Sequence, residues 1–556
     1  MSKRLAIVIS GAVSLGSYEG GVLYETLEAL RQHNTDPSTP DDLKIYIDVL
    51  AGASAGCMST AVAAQKLLYE GNSLSEPLGT PTSNPFYSPW VVDVNLEGLL
   101  DLGPKEDPSH SIFSSNFIDT ISAKYLKERY QSQIPLSSGD RVKHAAAADH
   151  IYLGMALSNL NGVNYSQGLR TGGEFTYTRH EDEIRLDFLA DGSDGKDNPD
   201  IWEFVRQGAV ASGAFPFAFR VQDIYRRQSE YPGADAFLGA TEEFTYTDGG
   251  VFQNEPLGMA KYFVDIIDGH QNSDSRFYLF VSPSSRDGTQ DLGFHTDQAN
   301  FLKTAERIAL SIFEQARFHD WIIAEQVNKQ VDVFNARADA LFGLLKNGTL
   351  KAESLQPATA ALLPVLFSGN SGEQGAAWAR LRGQYLGEYN KLGGDKNPPS
   401  PAATVFIDAL LTLETAADLG SKDEMNIYGI TAANDELAGA DLVAFAGFFD
   451  QRYRQHDYDV GRQKARDFLT NPDALGPFGP LHWKPQGTIQ IDNNLNNLKL
   501  AGMDLGARKK LFARLHDRAN EILKELGLSG IGGGLEARGI VMDNVVVPFL
   551  KKQLAL

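Results

Sequence analysis

The sequence predicts an α/β protein whose mostly parallel sheet is flanked by helices and is followed by a mainly α-helical C-terminal region. Two observations carry this prediction. Short apolar runs typical of buried strands alternate with helical patterns up to about residue 290. Beyond that point apolar residues recur at helical spacing, with no strand-rich region. We therefore predict two domains, residues 1–290 and residues 291–556, the second made of helical additions.

The predicted elements follow one another in the order that a layered sheet requires. The run at 45–50 is rich in aliphatic and aromatic residues, and the helix after it begins with small residues that let it lie close to a sheet. Strands are predicted at residues 5–9, 45–50, 150–158, 174–180, 184–190, 243–248 and 276–282. Helices are predicted at residues 18–31, 54–71, 201–217, 300–334, 376–390, 403–418, 434–455 and 506–526.

Composition limits the class of protein and its partners. A chain of 556 residues with 42% hydrophobic and 22% charged residues is typical of a globular protein. Its formal net charge of −21 argues against nucleic-acid binding and against electrostatic docking on anionic membranes, since both need a basic surface. The single cysteine, Cys57, cannot form an intramolecular disulfide and suits a reducing compartment. We expect a cytoplasmic protein.

The N-terminal residues resemble a signal peptide in outline only. Lys3 and Arg4 precede an apolar run, but this run ends by Gly11 and is shorter than a signal peptide requires. We interpret it as the first buried strand. No stretch approaches the 18 or so apolar residues of a membrane-spanning helix.

A possible nucleophile lies between the second strand and the helix that follows it. Residues 52–56 read Gly-Ala-Ser-Ala-Gly, a G-x-S-x-G motif. In a strand–turn–helix context this motif exposes the serine on a sharp turn, and the flanking residues must be small. The helix N-terminus would direct amide groups at an oxyanion formed at Ser54. The alternative is an ordinary tight turn between a strand and a helix.

A glycine-rich loop follows the first strand. Residues 11–16 read Gly-Ala-Val-Ser-Leu-Gly. Such a loop lets backbone amides approach a ligand, and preorganised amides stabilise the oxyanion of acyl transfer. No G-K-[ST] follows and the G-x-G-x-x-G spacing is absent, so neither a phosphate-binding loop nor a dinucleotide site is indicated.

The histidines of the sequence offer no clear catalytic base for Ser54. His319 and His456 lie in amphipathic helical sequence, and we interpret both as structural or surface residues. Asp248 ends a predicted strand and precedes Gly249 and Gly250, which would deliver a carboxylate to the edge of the sheet. The alternative is a simple Asp-Gly turn.

Together these stretches resemble the patatin-like phospholipases. "GAVSLGSYEGGVL", "LAGASAG" and "TDGGVFQNEPL" are similar to three blocks of that family and occur in its order, and "ASGAFPFAF" is similar to the segment before its aspartate. The resemblance covers roughly residues 3–285. It implies a three-layer fold, a lipid or phospholipid substrate, peripheral contact with a membrane as an open possibility, and no metal or organic cofactor. The residues that it implies are the nucleophile Ser54, the base Asp248, and an oxyanion site from Gly11, Ala12, Val13, Gly16 and Ala55.

The loop departs from the family pattern, which commonly reads G-G-G-x-[RK]-G. Two glycines are replaced, and Leu15 stands where a basic residue is usual. The backbone amides remain, but a cation that would bind an anionic head group is lost, and Val13 is expected to constrain the loop. Leu15, Phe86 and Phe215 could contact an acyl chain, although core packing is the default interpretation.

We therefore predict a serine acyl hydrolase of the phospholipase A or lysophospholipase type. Two alternatives stay open: a neutral-lipid esterase, and a catalytically weak scaffold or regulatory protein with the same fold. The aspartate-rich loop at 190–200 lacks the EF-hand spacing and is interpreted as an acidic surface loop rather than a calcium site. The glycine-rich segment 527–534 is interpreted as a connection, and the sequence leaves the oligomeric state open.

Overall fold

The structure, a computed structural model, describes most of the chain. The segments 376–381 and 527–534, to which the sequence assigned a helix and a connection, lie outside the described residues. The described residues are 2–69, 80–103, 106–107, 110–128, 142–169, 172–237, 239–268, 275–283, 292–296, 301–316, 319–366, 382–383, 385–386, 401–416, 425–440, 444–471, 479–496, 505–525 and 542–547.

The chain divides into two compact units that differ from the predicted domains. One unit comprises residues 1–260, 275–320 and 427–556, and the other comprises 261–274 and 321–426. The predicted boundary at residue 290 does not coincide with this division, because the end of the chain groups with its beginning.

Eight strands and twelve helices make up the regular structure within the described residues. Short helical turns add to these at Val13–Leu15, Ser88–Asp93, Ala123–Glu128, Gln228–Glu230, Gly249–Val251, Asn434–Glu436, Ala446–Phe449, Asn493–Leu495 and Met542–Val546. In chain order the elements are β1 Lys3–Ile9, α1 Gly16–Thr35, β2 Ile45–Gly52, α2 Ala55–Tyr69, α3 Leu96–Leu100, α4 Ser115–Ser122, β3 Ala147–Gly168, β4 Glu174–Leu189, α5 Pro199–Ser212, β5 Gln222–Arg227, β6 Thr241–Thr247, α6 Leu257–Asp268, β7 Arg276–Ser282, α7 Phe301–Ala316, α8 His319–Lys346, α9 Ala352–Leu366, α10 Pro401–Ala416, β8 Ile427–Thr431, α11 Gln451–Thr470 and α12 Leu505–Glu525.

All eight strands form one mixed sheet in the order β5-β6-β3-β2-β1-β7-β8, with β4 pairing on β3. The centre is parallel: β1 pairs with β2 and β7, β2 with β3, and β7 with β8. The pairs β3–β4, β3–β6 and β5–β6 are antiparallel. The predicted α/β class with a helix-flanked sheet is confirmed, and its parallel character applies to the centre only.

Several predicted boundaries are wrong in an informative way. The strands predicted at 174–180 and 184–190 are one strand, β4, because it continues along β3 as a long antiparallel pair. The helix predicted at 434–455 begins only at Gln451, after the Asp450 side chain caps it. Of the helix predicted at 300–334, the structure describes residues 301–316 as α7 and residues from 319 onward as α8. Strand β8 was not expected in a helical region.

Parallel pairing brings the ends of the central strands to one edge of the sheet. Ile9 at the end of β1 pairs with Gly52 at the end of β2 and with Val281 of β7. On the other side of β2, Thr247 at the end of β6 pairs with Ser158 of β3. The loops after β1, β2 and β6 therefore leave the sheet near one another, as is usual for ligand sites in open α/β sheets.

The glycines of α1 permit close helix packing. A Cβ built on Gly16 would lie 2.6 Å from the Trp90 ring, and one on Gly20 would lie 2.5 Å from the Phe86 carbonyl oxygen. Real Cβ atoms do not approach this closely. The cost of about 0.5–1 kcal/mol that each glycine adds to a helix is thus offset by burial of the helix surface.

Helix α11 packs against α1 through two further glycines. A Cβ on Gly21 would lie 2.1 Å from the carbonyl oxygen of Tyr458, and one on Gly461 would lie 2.1 Å from that of Tyr18. Beside this crossing, the buried Arg462 guanidinium donates to the Glu25 carboxylate at 2.8 Å. A C-terminal helix is therefore built into the core of the first unit.

The second unit has a small helical core of its own. It joins α8, α9 and α10 around an aromatic and aliphatic cluster. Arg382 donates to Asp408 and Tyr385 to Glu414 within the same unit. The buried members of the cluster are Ala338, Phe406, Ile407, Leu410 and Leu411.

Within the described residues, no helix has the length and apolar character needed to cross a membrane.

Candidate active site

Ser54 occupies the turn between β2 and α2 in a left-handed conformation, with φ of 50°. A Cβ on Gly52 would lie 2.5 Å from the Gly56 carbonyl oxygen, and one on Gly56 would lie 2.5 Å from the Ile9 carbonyl oxygen. Glycines are thus required on both sides of the serine so that the turn can close against β1. The strained, sharp turn is the geometry expected of a nucleophile elbow.

The Ser54 hydroxyl donates a hydrogen bond to Asp248 Oδ2 at 2.6 Å. Asp248 directly follows β6, and its other carboxylate oxygen accepts from the Gly250 amide at 2.7 Å. A Cβ on Gly249 would lie 2.1 Å from the Ala156 carbonyl oxygen, so this Asp-Gly-Gly turn packs directly on β3. The two side chains singled out in the sequence are therefore in contact.

Burial sets the acidity of Asp248. The residue is only 2% exposed, and desolvation disfavours its charged form. The hydrogen bonds from Ser54 and Gly250 favour the carboxylate but do not offset the burial, and the pKa of Asp248 rises to about 7. A carboxyl group in this range can act as a base near neutral pH, whereas an ordinary aspartate is too weak.

The glycine-rich loop lies against this pair. A Cβ on Gly11 would lie 3.0 Å from Ser54 Cβ and 2.3 Å from Asn254 Oδ1. The Gly11 amide donates to the Asn254 carbonyl oxygen, and the Gly16 amide donates to that of Val13. These two predicted oxyanion donors are therefore already engaged.

Three of the predicted amides remain for a ligand. Within the described residues, the amides of Ala12 and Val13 have no hydrogen-bond acceptor. Ala55 is the first residue of α2, and the amides of a first helical turn have no partner inside the helix. Val13 and Ala55 line the same cavity as Ser54. Amides on two sides of Ser54 can thus serve an oxyanion.

Ser54 lines an apolar cavity. Its volume is about 80 Å³, and about 810 Å³ when all the space between atoms and the adjoining open solvent are included. Apart from Ser54, Ser122 and Tyr125, its walls are apolar side chains, alanines and a glycine. They come from the loop after β1, from α2, α4, α5 and the loop after α5, and from the turns Ser88–Asp93, Ala123–Glu128 and Ala446–Phe449 with the residue that follows the first of these turns. Such walls suit a hydrocarbon group, whereas a charged or sugar-like group would lose its hydration there.

Comparison with known proteins identifies the part of the chain that carries this site. Residues 7–261 match the family described as patatin-like phospholipase. This stretch is a patatin-like phospholipase domain. The chain is also 23% identical over 569 residues to the uncharacterized protein y4iI of Sinorhizobium fredii, a match that covers 88% of this chain and 67% of that protein. The domain thus belongs to a family of lipid acyl hydrolases, and the relative extends the similarity well beyond residue 261.

The patatin-like domain contains one site residue that the sequence analysis did not single out. Ser212, the last residue of α5, accepts a hydrogen bond from the Ser54 amide at 2.8 Å and donates to the Ala156 carbonyl oxygen at 2.7 Å. It therefore fixes the nucleophile turn to β3. The segment "ASGAFPFAF" that contains it was noted as family-like, but nothing in its local sequence indicated this contact.

The three apolar residues proposed for acyl contact have different positions in the domain. Leu15 and Phe86 are fully buried in the main core, as the default interpretation held, and are absent from the cavity wall. Phe215 does line the cavity. Leu15 is apolar and buried, so this position of the loop supplies no cation that could bind a phosphate.

Within the described residues, the side chains of Cys57, His319 and His456 form no hydrogen bond to the Ser54 hydroxyl or to the Asp248 carboxylate. Burial raises the pKa of the Cys57 thiol to about 12. His456 is buried in α11, where its ring nitrogens contact Asp457 and Asn496, and His319 lies at the start of α8. Among the described residues no cluster of three or more His, Cys, Asp or Glu side chains could hold a metal ion.

Proposed function

We propose that this protein is a serine acyl hydrolase that cleaves ester bonds of lipids or phospholipids through a Ser54–Asp248 dyad. The observation that carries the proposal is the 2.6 Å hydrogen bond from the Ser54 hydroxyl to the Asp248 carboxylate, together with the apolar cavity that Ser54 lines. The family of residues 7–261 supports lipid esters as the substrate class.

Acylation needs only the groups present at the site. The Ser54 oxygen attacks the carbonyl carbon of the ester while its proton passes to Asp248 Oδ2, and the carbonyl oxygen becomes an oxyanion. The free amides of Ala12, Val13 and Ala55 stabilise this charge. When the tetrahedral intermediate collapses, the bond to the leaving alcohol breaks and that alcohol takes the proton from Asp248.

Deacylation repeats the same steps with water. Asp248 accepts a proton from the water that attacks the acyl–Ser54 ester, and a second oxyanion forms at the same amides. Collapse breaks the bond to the Ser54 oxygen, which recovers the proton, and a fatty acid leaves. Because the pKa of Asp248 is about 7, its carboxyl group can both accept and return this proton near neutral pH.

The walls of the cavity support an acyl chain as the buried part of the substrate. The site sets no clear requirement on the charge of the substrate's head group, because Leu15 replaces the usual cation of the loop and is buried. This observation keeps a neutral-lipid esterase as the second candidate function. Peripheral contact with a membrane would bring either substrate to the cavity mouth.

The proposal is tested by labelling and hydrolysis with three variants. The wild-type protein should react covalently with a fluorophosphonate at Ser54 and release fatty acid from phosphatidylcholine, lysophosphatidylcholine or diacylglycerol. Ser54→Ala should abolish both reactions and Asp248→Asn should greatly slow them. The control is Ser59→Ala, which removes another buried hydroxyl of α2, one that donates to Glu19, and should leave both reactions unchanged.

Each outcome has a clear consequence. Hydrolysis of phosphatidylcholine supports a phospholipase, whereas hydrolysis restricted to diacylglycerol supports the neutral-lipid esterase. Full activity of Ser54→Ala would refute the nucleophile. A folded wild-type protein that neither reacts with the probe nor releases fatty acid would favour the scaffold alternative.

A further inference from the structure

We propose that Ser14 is a positioning residue that fixes the oxyanion loop to the C-terminal segment 444–449. The catalytic consequence of this interaction rests on the proposed function. The interaction itself, which we call the lock, consists of the hydrogen bonds between Ser14 and the segment 444–449 and is a feature of the fold. Ser14 belongs to the loop between β1 and α1, and the segment with which it interacts follows 430 residues later in the chain.

The side chain of Ser14 makes two hydrogen bonds to this segment. Its hydroxyl donates to the Ala444 carbonyl oxygen and accepts from the Gly447 amide at 3.2 Å. Ser14 is fully buried, and a Cβ built on Gly447 would lie 2.5 Å from Ser14 Oγ. Only a glycine therefore lets the segment approach closely enough to be bound.

The lock joins two strained backbone positions. Val13 has φ of 50° and Ala444 has φ of 65°, and both are residues that rarely adopt the left-handed region. For a β-branched residue such as Val13 this conformation is a genuine outlier that persists only when its surroundings enforce it. Ser14 follows Val13 and bonds directly to Ala444, so one side chain connects both strained residues.

The segment that receives Ser14 is itself held firmly. The buried Arg454 guanidinium of α11 donates to the carbonyl oxygens of Gly447 at 2.9 Å, of Phe448 at 3.2 Å and of Val91 at 3.1 Å. Three backbone acceptors thus share one cation. The backbone segment to which Ser14 bonds is therefore itself held in place by the hydrogen bonds from Arg454.

The lock acts at the catalytic site through Val13. Val13 and Phe448 both line the cavity that Ser54 lines, and the Val13 amide is one of those left for an oxyanion. Where the family loop commonly has a third glycine, this chain has a valine. Ser14 therefore supplies by hydrogen bonding the loop conformation that a glycine would adopt without cost.

A double-mutant cycle tests this coupling. Ser14→Ala should lower kcat by about tenfold to 10²-fold, approaching the loss of an oxyanion donor, with little change in KM. Val13→Gly alone is measured as the reference for the second background, because Val13 lines the cavity and its amide is one of the oxyanion donors. Adding Val13→Gly to Ser14→Ala should recover most of the lost rate, because glycine needs no lock to keep a positive φ.

Ser10→Ala is the matched control. Ser10 is a buried serine at the end of β1, and within the described residues its hydroxyl has no hydrogen-bond partner. Its removal should leave kcat unchanged. Equal losses of kcat for Ser14→Ala in the wild-type and Val13→Gly backgrounds, or no loss in either, would overturn the proposal.

A second measurement keeps this test separate from the proposed function. Thermal unfolding of the same four proteins should show the coupling without any substrate: Ser14→Ala should lower Tm more in the Val13 background than in the Gly background. If the protein hydrolyses no lipid but the Tm values couple, the hydrolase proposal fails and the lock stands. Additive Tm values would contradict the lock whatever the activity.

Discussion

The Ser54 hydroxyl and the Asp248 carboxylate are 2.6 Å apart although 194 residues separate them in the chain. The sheet accounts for this contact. Ser54 leaves the end of β2 and Asp248 leaves the end of β6, with β3 between them in the sheet. Ser212 ties the Ser54 amide to the Ala156 carbonyl oxygen of β3. The distance between the Ser54 and Asp248 side chains is therefore set by backbone pairing rather than by flexible loops.

The first prediction concerns the pH dependence of hydrolysis. Asp248 must be ionised to accept the Ser54 proton, and burial raises its pKa to about 7. We expect kcat/KM to rise about tenfold per pH unit below this value and to level off above it. Titration of released fatty acid between pH 5 and pH 9 measures the inflection. An inflection near pH 4, typical of an exposed carboxyl group, would contradict the assignment.

The second prediction concerns stability, where the sign is opposite to the common case for aspartate. Between about pH 4 and pH 7 the folded protein keeps a proton on Asp248 that the unfolded chain has lost, so the free energy of unfolding falls as pH rises. Asp248→Asn removes this dependence. Denaturant unfolding should show that the free energy of unfolding of the variant rises relative to that of wild type between pH 4 and pH 8. The expected rise is on the order of 4 kcal/mol, since the pKa shift is about three units and each unit corresponds to about 1.4 kcal/mol. A constant difference would show that Asp248 has an ordinary pKa.

The third prediction concerns the crossing of α1 and α11. Gly461→Ala would place a methyl group 2.1 Å from the Tyr18 carbonyl oxygen, so the helices must separate. We expect a loss of about 3 kcal/mol or more in the free energy of unfolding. The control is Gly343→Ala in α8, where no described atom lies within 4 Å and where alanine should stabilise by about 0.5–1 kcal/mol. Similar effects at both positions would contradict the close crossing.

The fourth prediction concerns the length of the acyl chain. Ile118 of α4 is a partly exposed residue of the cavity wall, and Ile118→Trp would fill part of the space. Hydrolysis of nitrophenyl esters with 12 or more carbons should fall about tenfold relative to the butyrate ester. Ile322→Trp, at an exposed position of α8, serves as the control for an added indole. Equal effects of Ile118→Trp on long and short esters would argue that the acyl chain lies elsewhere.

The fifth prediction concerns contact with lipid surfaces. Phe217 is 81% exposed and lies in the chain between Phe215 and Phe219, two residues of the cavity wall. Phe217→Ser should weaken co-sedimentation with phosphatidylcholine vesicles and slow hydrolysis of vesicle lipid, while a soluble short-chain ester is hydrolysed as before. Leu413→Ser, an exposed position of α10, is the control. If Phe217→Ser binds vesicles as wild type does, this segment is not the lipid contact.

Local signals in the sequence were sufficient to place Ser54 and Asp248. Each of the two residues has, within two positions in the sequence, glycines that the structure requires because a Cβ there would clash. The constraint on the local backbone is therefore visible in the sequence next to each residue. The strand and helix patterns of residues 1–290 placed these motifs at strand ends. Parallel pairing of β1, β2 and β3 sets the edge at which Ser54 lies, and Asp248 reaches that edge because the antiparallel strand β6 ends beside Ser158 of β3.

The contacts that the sequence could not predict connect distant segments. Ser14 with Ala444, Ser212 with Ser54, and β8 with β7 each depend on a packing partner far along the chain. In the sequence, nothing distinguishes Ser14 from other small residues of a glycine-rich loop. Strand β8 has only five residues, which gives a short sequence signal. The engaged amides of Gly11 and Gly16 likewise depend on the path of neighbouring backbone.

The close contact of Gly21 and Gly461 with the opposite backbone has a practical consequence for expression of this protein. A gene trimmed at residue 261, where the family match ends, would encode α1 without the helix that covers it and a sheet without β7 and β8. Such a product would expose apolar surface and strand edges that promote aggregation. The smallest soluble unit worth expressing must reach past Thr470.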